Sequence, residues 1–440
     1  MASTSVTSEL RSQWTNPGDV MSLLMLVGGD IVQKALAQLV GVRLPRLLGG
    51  IYTTPVAFSF GWVAYAFSSL STIFSDRRLM PGPDTDIQVI NLSNGYVREN
   101  NSWVLGRLLR DYEGRVAKAD RSSNPPMAPS DSTGKVSLKI DIFVAGAAND
   151  NGPEIGKWWF VYWLVILVQQ VIAAIPWILH GDWGIFLVTA SGTLFALITG
   201  SLPQWAAEKW PAPKLWKEKT VALTRGNGHQ YVMVIKGHEG AWDPEAMASA
   251  RLNRRPETPW VLLTLAVLWS LLLITVSGLG SHTWYLVGVG GIGMLQNVWV
   301  SAVQISPEAA NLALAAYEPR STITGEKVME DGVRDVMDAL MELERWISKA
   351  GVALLPVFFP GSVDYEEGLL NSNREKKFWK RATAQSMDRR QAFVLDCDRS
   401  SLSENDAQCI NLPQWDQQSS RILHVFLTDE GNQHLPLATS

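Results

Sequence analysis

Two pairs of long, uncharged apolar runs constrain this 440-residue chain more than any other feature. The first pair is Trp158–Leu179 and Trp183–Gln204, and the second is Trp260–Leu279 and Trp284–Val303. Each run is about 20 residues long, which as a helix spans the roughly 30 Å hydrocarbon layer of a bilayer. Because only short polar turns join the members of each pair, the pattern predicts two transmembrane helical hairpins.

Two further apolar segments come earlier in the chain, Val20–Val40 and Ile51–Phe74. The second is uncharged and reads as a span. The first contains Asp30 and Lys34, which are four residues apart and can pair on one helix face. An ionisable residue within a membrane is a functional candidate, and the alternative is a polar face that packs inward or lies along the interface. Counting both segments, we expect six spans.

Alternating apolar and polar residues between the predicted spans indicate β-strands at Ile87–Asn91 and Lys135–Val144, and Tyr96–Arg98 is predicted to return after a turn at 93–95. Val221–Thr224 and Tyr231–Ile235 are predicted as short strands because residues 225–229 between them form a turn of the type that joins hairpin strands. The predicted fold class is therefore mainly α: a polytopic helical membrane protein, with about six spans in hairpins and a small cytosolic α+β platform built from loops.

The regions that follow the last span are expected to lie outside the membrane. A helix is predicted at about Glu330–Ala350 and a charged helix at Glu366–Arg390. The apolar stretch Val352–Phe359 is too short to span and is expected to dock against the membrane helices or the headgroup layer. The predicted organisation is 1–15 disordered, 16–78 first two membrane helices, 79–156 cytosolic loop subdomain, 157–205 transmembrane hairpin, 206–257 cytosolic loop subdomain, 258–304 transmembrane hairpin, 305–390 cytosolic helices and 391–440 tail.

Basic residues near the span ends predict the orientation, because Lys and Arg are enriched in cytoplasmic loops. They flank the long polar regions (Arg77, Arg78, Lys157, Lys209, Lys214, Lys217, Lys219, Arg251, Arg254 and Arg255), whereas the turns at 180–182 and 280–283 contain none. Both termini and all large polar regions are thus expected in the cytosol, in an endoplasmic reticulum or plasma membrane protein. Asn91 and Asn100, which open glycosylation sequons, are expected to be unmodified. Arg43 and Arg46 would lie on the opposite side, which argues against Val20–Val40 as a span.

Polar groups inside the predicted spans are few and uncharged. Gln169, Gln170, Gln296 and Asn297 are the strongest of them, and hydrogen bonds between helices account for them without a catalytic role. Glycines in the last span form a stripe with Asn297 and Ser301 that predicts close helix packing. Because buried charge is typical of pumps and proton-coupled carriers, spans without it predict no transport chemistry.

Catalytic residues are not identified by any motif in the chain. Net charge of −4 argues against nucleic-acid binding. Asp84-Thr85-Asp86 follows Pro83 and is predicted to be a turn, and His229 is predicted to be a solvated loop residue. No cofactor-binding or metal-ligand set is predicted, because His238, Cys397 and Cys409 complete none. A metal-free cyclase or isomerase would need an ionisable group near the membrane, and the candidates are Asp30, Lys34, Asp150, Glu154 and Asp182.

Several strings together resemble a family of integral membrane proteins that is widespread in filamentous fungi. They are NPGD at 16–19, GGDIVQKALAQ at 28–38, GYVRENNSWVLGRLLRDYE at 95–113, GDWGI at 181–185, LTRGNGHQ at 223–230, TWYLVGVGGIGMLQN at 283–297 and FFPG at 358–361. The resemblance covers most of residues 14–361. It implies a fungal endomembrane or plasma membrane protein, in some cases encoded near secondary-metabolite genes, and it implies no catalytic residues.

The sequence therefore leaves two functions open. The first is an accessory or scaffold component without transport chemistry, with a tie to secondary metabolism. The alternative is a membrane-embedded enzyme of cyclase or isomerase type that acts on a hydrophobic terpenoid or polyketide intermediate. The expected partners are the lipid bilayer and either other membrane proteins or a hydrophobic small molecule, with no nucleic acid.

Overall fold

The computed structural model describes residues 26–43, 50, 52–74, 78–123, 136–149, 152–153, 155–250, 255–326, 336–360, 375 and 377–384. Several predictions concern residues outside these ranges. They are the disordered N terminus, most of the helix at Glu366–Arg390, the tail with its two cysteines, and the candidate residues Asp150 and Glu154.

The described residues form both helices and strands, which follow one another along the chain in no regular order. The helices are α1 Gly29–Leu39, α2 Trp62–Phe74, α3 Trp103–Ser123, α4 Lys157–His180, α5 Gly184–Gly200, α6 Pro203–Lys209, α7 Pro244–Ser249, α8 Thr258–Ser277, α9 Thr283–Ala302, α10 Val336–Trp346 and α11 Ala350–Phe358. The strands are β1 Gln88–Asn91, β2 Val97–Glu99, β3 Val136–Ala145, β4 Lys219–Thr224, β5 Tyr231–Gly237, β6 Leu314–Ala316 and β7 Thr322–Glu326.

The strands form one seven-stranded mixed sheet with the order β2-β1-β4-β5-β3-β6, and β7 pairs with β3 beside β6. Only the β3–β5 pair is parallel, with Ile140 opposite Val232. The first apolar hairpin is inserted between β3 and β4 in the chain. We call β1–β7 with α3, α7, α10 and α11 the sheet domain, and α1, α2, α4–α6, α8 and α9 the helical unit.

Strict alternation along the strands buries both faces of the sheet. Val221 and Leu223 of β4 join the core shared with α3 and the helical unit. Ala222, which lies between them, joins the opposite core with α10 and α11. Because side chains alternate across a strand, one short apolar run supplies both cores. The sheet therefore lies between helices on its two faces.

The helical unit consists of four long helices with α1, α2 and residues 53–60 packed among them. α4 packs on α5 and on α9, and α5 packs on α8, whereas α8 and α9, although a short turn joins them, pack mainly on α2 and α1. The two turns meet, since Ser281 Oγ donates to Asp182 Oδ2 at 2.8 Å. α6 continues α5 after a 45° bend. Both helix pairs, α4–α5 and α8–α9, start and end at the sheet domain, so that all four apolar helices run between the sheet domain and the joined turns.

The predicted six-span fold is wrong. Among the described residues, two helices are long and apolar enough to cross a membrane, Lys157–His180 and Thr258–Ser277, or three if the bent pair α5 and α6 counts as one. The polar regions form a seven-stranded α/β domain rather than a small α+β platform built from loops. The fourth long helix, α9, does not meet the same test, because its four glycines together with Gln296 and Asn297 lower its mean hydropathy.

The apolar N-terminal region fails as two spans because its described part is mostly not long helix. α1 has 11 residues and α2 has 13, so at 1.5 Å per residue neither crosses about 30 Å. Residues 53–60, which were predicted to belong to a span, have no helical structure. Apolar composition predicted burial correctly here, but it did not predict conformation.

Two other predictions need correction. The apolar stretch Val352–Phe359 docks on the sheet, where Leu354 belongs to the same buried cluster as Ile140, and not on the membrane helices. The region 305–390, predicted to consist of helices, begins instead with the short 3₁₀ helix Glu308–Ala310 and the strands β6 and β7. By contrast, the five predicted strands are confirmed as β1–β5 within one or two residues.

Candidate functional site

An extended stretch of backbone, residues 53–60, lies buried between the helices of the helical unit. Because this stretch is not helical, most of its carbonyl groups must accept hydrogen bonds from donors other than the N–H groups that a helix would supply. Gln296 Nε2 donates to Pro55 O at 2.8 Å, and Gln169 Nε2 donates to Phe58 O at 2.7 Å. Non-helical backbone at membrane depth is tolerated only where protein or water satisfies it. Here amide side chains on α4 and α9 supply the hydrogen-bond donors for these carbonyl groups.

Glycines in α5 and α9 make room for this extended stretch. A Cβ at Gly293 would overlap Phe58 O, and a Cβ at Gly290 would overlap the Phe60 ring. Gly192 in α5 is in the same position against Phe58. The predicted glycine stripe therefore provides close approach, but its partner is extended backbone rather than another helix.

Amide nitrogens in the long helices have structural partners. Asn297 Nδ2 donates to Ser59 Oγ at 2.8 Å, and Gln170 Nε2 donates to Thr193 Oγ1 at 2.9 Å, which is a helix–helix contact. Gln169 Nε2 also donates to Val289 O at 2.7 Å. Within the described residues the amide oxygens of Gln169, Gln296 and Asn297 have no hydrogen-bond partner. The nitrogens therefore act structurally, and they join helices to residues 53–60 more often than to each other.

The buried guanidinium of Arg107 joins the sheet domain to the helical unit. Arg107 is 2% exposed. Its Nε lies 3.3 Å from Asp111 Oδ2, its Nη1 donates to Ser301 O at 2.8 Å, and its Nη2 donates to Val303 O at 2.6 Å. The two carbonyls end α9, where a cation is favourable. Asp111 Oδ2 also accepts from Ile305 N at 3.0 Å, so one ion pair fixes where the chain leaves α9.

Lys209 forms a second junction of the same kind. Its side chain is 1% exposed, and its Nζ donates to Gln38 O and Val40 O, each at 2.9 Å. These carbonyls end α1, so this lysine, like Arg107, places a cation at a helix C-terminus. The rings of Trp103 and Trp210 lie within 6 Å of the ammonium, which adds cation–π attraction.

Asp182 is the best-defined of the predicted candidate carboxyls, and it lies at the joined hairpin turns. Its Oδ2 accepts from Ser281 Oγ and is 3.2 Å from His282 Nδ1. The hydrogen bond from Ser281, with that from His282, holds the pKa of Asp182 below its ordinary value. His180 stacks on His282 with ring centroids 4.5 Å apart. A carboxyl with a lowered pKa is a poor proton donor at neutral pH, so this group does not suit protonation chemistry.

The other candidates do not assemble with Asp182. Asp30 and Lys34 are exposed on α1, whereas the contacts of Asp182 are with the second hairpin turn. Asp150 and Glu154 lie outside the described residues. Within the described ranges no group of three His, Cys, Asp or Glu side chains is placed to hold a metal ion.

A polar cleft of about 590 Å³ opens on the sheet domain. One wall is the loop Pro83–Asp86, and the other is formed by Arg225 and His229 at the β4–β5 turn. Typical ligand pockets have volumes of about 300–1,000 Å³. The turn is possible because Gly226 and Gly228 adopt φ values of +92° and +87°, a region that favours glycine. The cleft is thus of ligand size, with charged side chains on two facing walls.

Helix α3 supports both walls of the cleft from behind. Asp84 Oδ2 lies 3.0 Å from Arg107 Nη1 and 2.8 Å from Arg110 Nη1. Arg225 pairs through Nη2 with Glu113 Oε2. Burial raises the pKa of Glu113, and the charge and hydrogen bond of Arg225 oppose that rise. In the part of the chain that the structure describes, Arg225 Nε and Glu113 Oε1 have no hydrogen-bond partner.

Asp84, Asp86 and His229 of this cleft are visible as polar residues in the sequence, but no sequence pattern connects them. Asp84-Thr85-Asp86 is a loop as predicted, and His229 is exposed as predicted. The signal that could have linked them is the spacing of Arg107, Arg110 and Glu113 on α3. Residues three and four apart share a helix face, and this face carries charges of both signs that must find partners when it is buried.

Comparison of the chain with protein-family models, with curated proteins and with solved structures gives no match.

Proposed function

We propose that this protein is a multi-pass integral membrane protein whose helical unit is embedded in a bilayer and holds the sheet domain against one membrane face. In this role it is an accessory or scaffold component, with the sheet domain as the surface for partner proteins. The resemblance to a fungal family, a tie to secondary metabolism and the absence of transport chemistry remain predictions.

The observation that carries this proposal is a belt of exposed apolar side chains around the helical unit. Large exposed residues recur along all four long helices: Phe160, Leu164, Leu167, Val171, Ile178, Leu187, Leu194, Leu263, Val267, Leu271, Ile274, Leu295 and Val298. Water-soluble monomers rarely expose so large a continuous apolar patch. In a bilayer these side chains lie against lipid chains, so their exposure carries no free-energy penalty.

Tryptophans border the apolar belt at both ends. Trp158, Trp260 and Trp299 are exposed at the end nearer the sheet domain, and Trp177, Trp183 and Trp284 are exposed near the hairpin turns. Indole rings prefer the headgroup regions of a bilayer. On α4 and α9, which have 24 and 20 residues, one such ring lies near each end. This supports a membrane that crosses the helical unit, with the sheet domain on one side and the turns on the other.

Sidedness follows from charge. The basic side chains Lys214 and Lys217 lie on the sheet domain, whereas the hairpin turns contain no Lys or Arg. The positive-inside rule therefore favours a cytosolic sheet domain, in the endoplasmic reticulum or plasma membrane. Asn91 and Asn100 are each 6% exposed, which by itself makes both sequons poor acceptors, so glycosylation is not the best test of sidedness.

Single-cysteine labelling tests the proposal directly. Cys397 and Cys409 are replaced by Ser, and one cysteine is introduced at exposed Lys217 or at exposed Gly280 in the second hairpin turn. In sealed microsomes a membrane-impermeant maleimide is expected to label Lys217→Cys at once and Gly280→Cys only after permeabilisation. The protein should also stay in the pellet on alkaline carbonate extraction. Equal labelling at both sites in sealed vesicles, or release by carbonate, would contradict the membrane embedding.

The alternative is an enzyme that acts on a hydrophobic intermediate, and metabolite profiling of a deletion strain separates it from the scaffold. A scaffold predicts unchanged profiles and altered localisation of partner proteins. A missing product together with an accumulated precursor would favour the enzyme. The separation of Asp182 from Asp30 in the described chain gives the enzyme no shared site among its predicted candidates.

A further inference from the structure

The polar cleft between Pro83–Asp86 and the β4–β5 turn lies outside the scaffold role. We infer that this cleft binds a ligand that carries a phosphate and an ammonium group, and that its source is the headgroup of a zwitterionic phospholipid. The phosphate lies against Arg225 and His229, and the ammonium lies against Asp84 and Asp86.

The two walls of the cleft carry opposite chemistry. Asp84 and Asp86 on the loop wall are acceptors, and Asp86 is exposed. On the turn wall, the side chain of Arg225 is 29% exposed, and His229 is exposed. A guanidinium matches the geometry of phosphate, and carboxylates attract an ammonium group. Arg107 and Arg110 already neutralise Asp84, and Glu113 pairs with Arg225. The exposed carboxylate of Asp86 is therefore the main attraction for an ammonium group, and Arg225 with His229 offers hydrogen bonds to a phosphate.

The charged side chains are held in place before any ligand binds. Two arginines fix Asp84, and Thr85 Oγ1 donates to Gly106 O at 3.2 Å. Glu113 fixes Arg225 from the side facing α3. A preorganised site loses less conformational entropy on binding. The loop wall and the turn wall therefore keep their separation through contacts with the same helix.

The position of the cleft favours a lipid over a free phosphate compound. Arg107, which contacts Asp84, also donates to Ser301 O and Val303 O at the end of α9. Exposed Trp299, which belongs to the tryptophan border, is less than one helical turn before that end. The loop wall of the cleft is thus tied to the point where the chain leaves the proposed bilayer. This step rests on the proposed membrane embedding.

Binding to the purified full-length protein in detergent tests the inference. The probes are dihexanoyl-phosphatidylcholine, dihexanoyl-phosphatidylglycerol, which lacks the ammonium group, and phosphocholine, which lacks the acyl chains. Titration calorimetry is expected to show the choline lipid binding about tenfold more tightly than the glycerol lipid, which corresponds to roughly 1.4 kcal/mol. Asp86→Asn should remove this preference, and His229→Gln should weaken binding of both lipids.

Both substitutions are at exposed positions, so they are expected to leave the fold intact. Lys236→Gln is the matched control, because this lysine pairs with Glu218 at the far end of β5; it should bind as the unmodified protein does. Equal affinity for the two lipids, or a preference that survives in Asp86→Asn, would overturn the inference. Phosphocholine as tight as the lipid would assign a soluble ligand of the same chemistry, and weaker phosphocholine would assign the lipid. Carbonate extraction tests membrane embedding separately, so that a failure of lipid binding can be distinguished from a failure of the proposed function.

Discussion

The sheet domain and the helical unit satisfy their buried backbone in different ways. In the sheet domain every strand pairs with a neighbour through regular backbone hydrogen bonds. In the helical unit, the extended residues 53–60 depend on side chains such as Gln169 and Gln296 from surrounding helices. A backbone ladder is independent of side-chain identity, whereas the side-chain solution is specific to a few residues. The helical unit should therefore be the more sensitive region to single conservative substitutions.

The largest effect is expected where the two regions meet. Arg107→Met leaves Asp111, which is 1% exposed, without the guanidinium that lies 3.3 Å from it. It also removes the donors to Ser301 O and Val303 O. Asp111 keeps Arg110 and Ile305 N as partners, but each carbonyl left without its donor costs about 1–3 kcal/mol, which gives roughly 2–6 kcal/mol in total. We expect a loss of that size in the free energy of unfolding in detergent, measured by chemical denaturation.

Arg110→Met is the control for the junction. This side chain also pairs with Asp84 and Asp111, but it is 30% exposed. Its loss leaves Asp84 and Asp111 paired with Arg107 and leaves the carbonyls at the end of α9 with their donors, so we expect a smaller loss of about 1–2 kcal/mol. If the two variants lost equal stability, the junction would not depend on the burial of Arg107.

The next prediction compares two glycines of the same helix, of which only one is closely packed. Gly293→Ala places a methyl group against Phe58 O, whereas Gly291→Ala in α9 meets nothing within 4 Å. Overpacking costs about 1–3 kcal/mol. We expect Gly293→Ala to lower the melting temperature in detergent, and Gly291→Ala to leave it unchanged or raise it. Equal behaviour of the two variants would show that residues 53–60 do not lie against α9.

The same comparison explains which features the sequence could predict. Strand β3 was predictable because alternation in Lys135–Val144 reflects one strongly buried face, and β5 because the apolar run Tyr231–Ile235 after a hairpin-type turn reflects burial on both faces. The positions of the four long helices were predictable from uncharged length, but the second pair does not pack as a hairpin, because α8 and α9 pack mainly on α2 and α1. The conformation of residues 53–60 was not, because Thr54, Pro55 and Val56 give the same hydropathy in a helix as in an extended stretch. The decisive information lies in Gln169 and Gln296, which are far away in the chain.

The cleft was not predictable for a related reason. Asp84 and His229 are separated by more than 140 residues in the sequence, and only the pairing of β1 with β4 places their loops side by side. A search for local motifs cannot detect such a site. The charged face of α3 was the available hint, since Arg107, Asp111 and Glu113 need partners once the helix packs on the sheet.

The smallest predicted effect concerns the cluster of charged side chains around Glu245 in the sheet domain. Glu245 at the start of α7 accepts from Asn91 Nδ2 at 2.7 Å and lies 2.7 Å from Lys219 Nζ and 3.2 Å from Arg98 Nε. Burial acts to raise the pKa of Glu245, but these hydrogen bonds and charges outweigh it and hold the pKa below its ordinary value. A lowered pKa means that the folded state favours the ionised carboxylate.

The sign of the pH dependence follows from that direction. Stability from Glu245 is fully present above its unfolded pKa of about 4.3, and it is lost as pH falls through the lower folded-state value. Glu245→Gln should thus lower the free energy of unfolding by roughly 2 kcal/mol at pH 7, with the difference shrinking below about pH 4. Glu218→Gln, at a carboxylate that is 59% exposed, is the control and should change little at either pH. A difference between Glu245→Gln and the unmodified protein that stayed constant from pH 7 to pH 3 would mean that the cluster acts through packing rather than charge, and that the sheet domain is as dependent on specific side-chain shape as the helical unit.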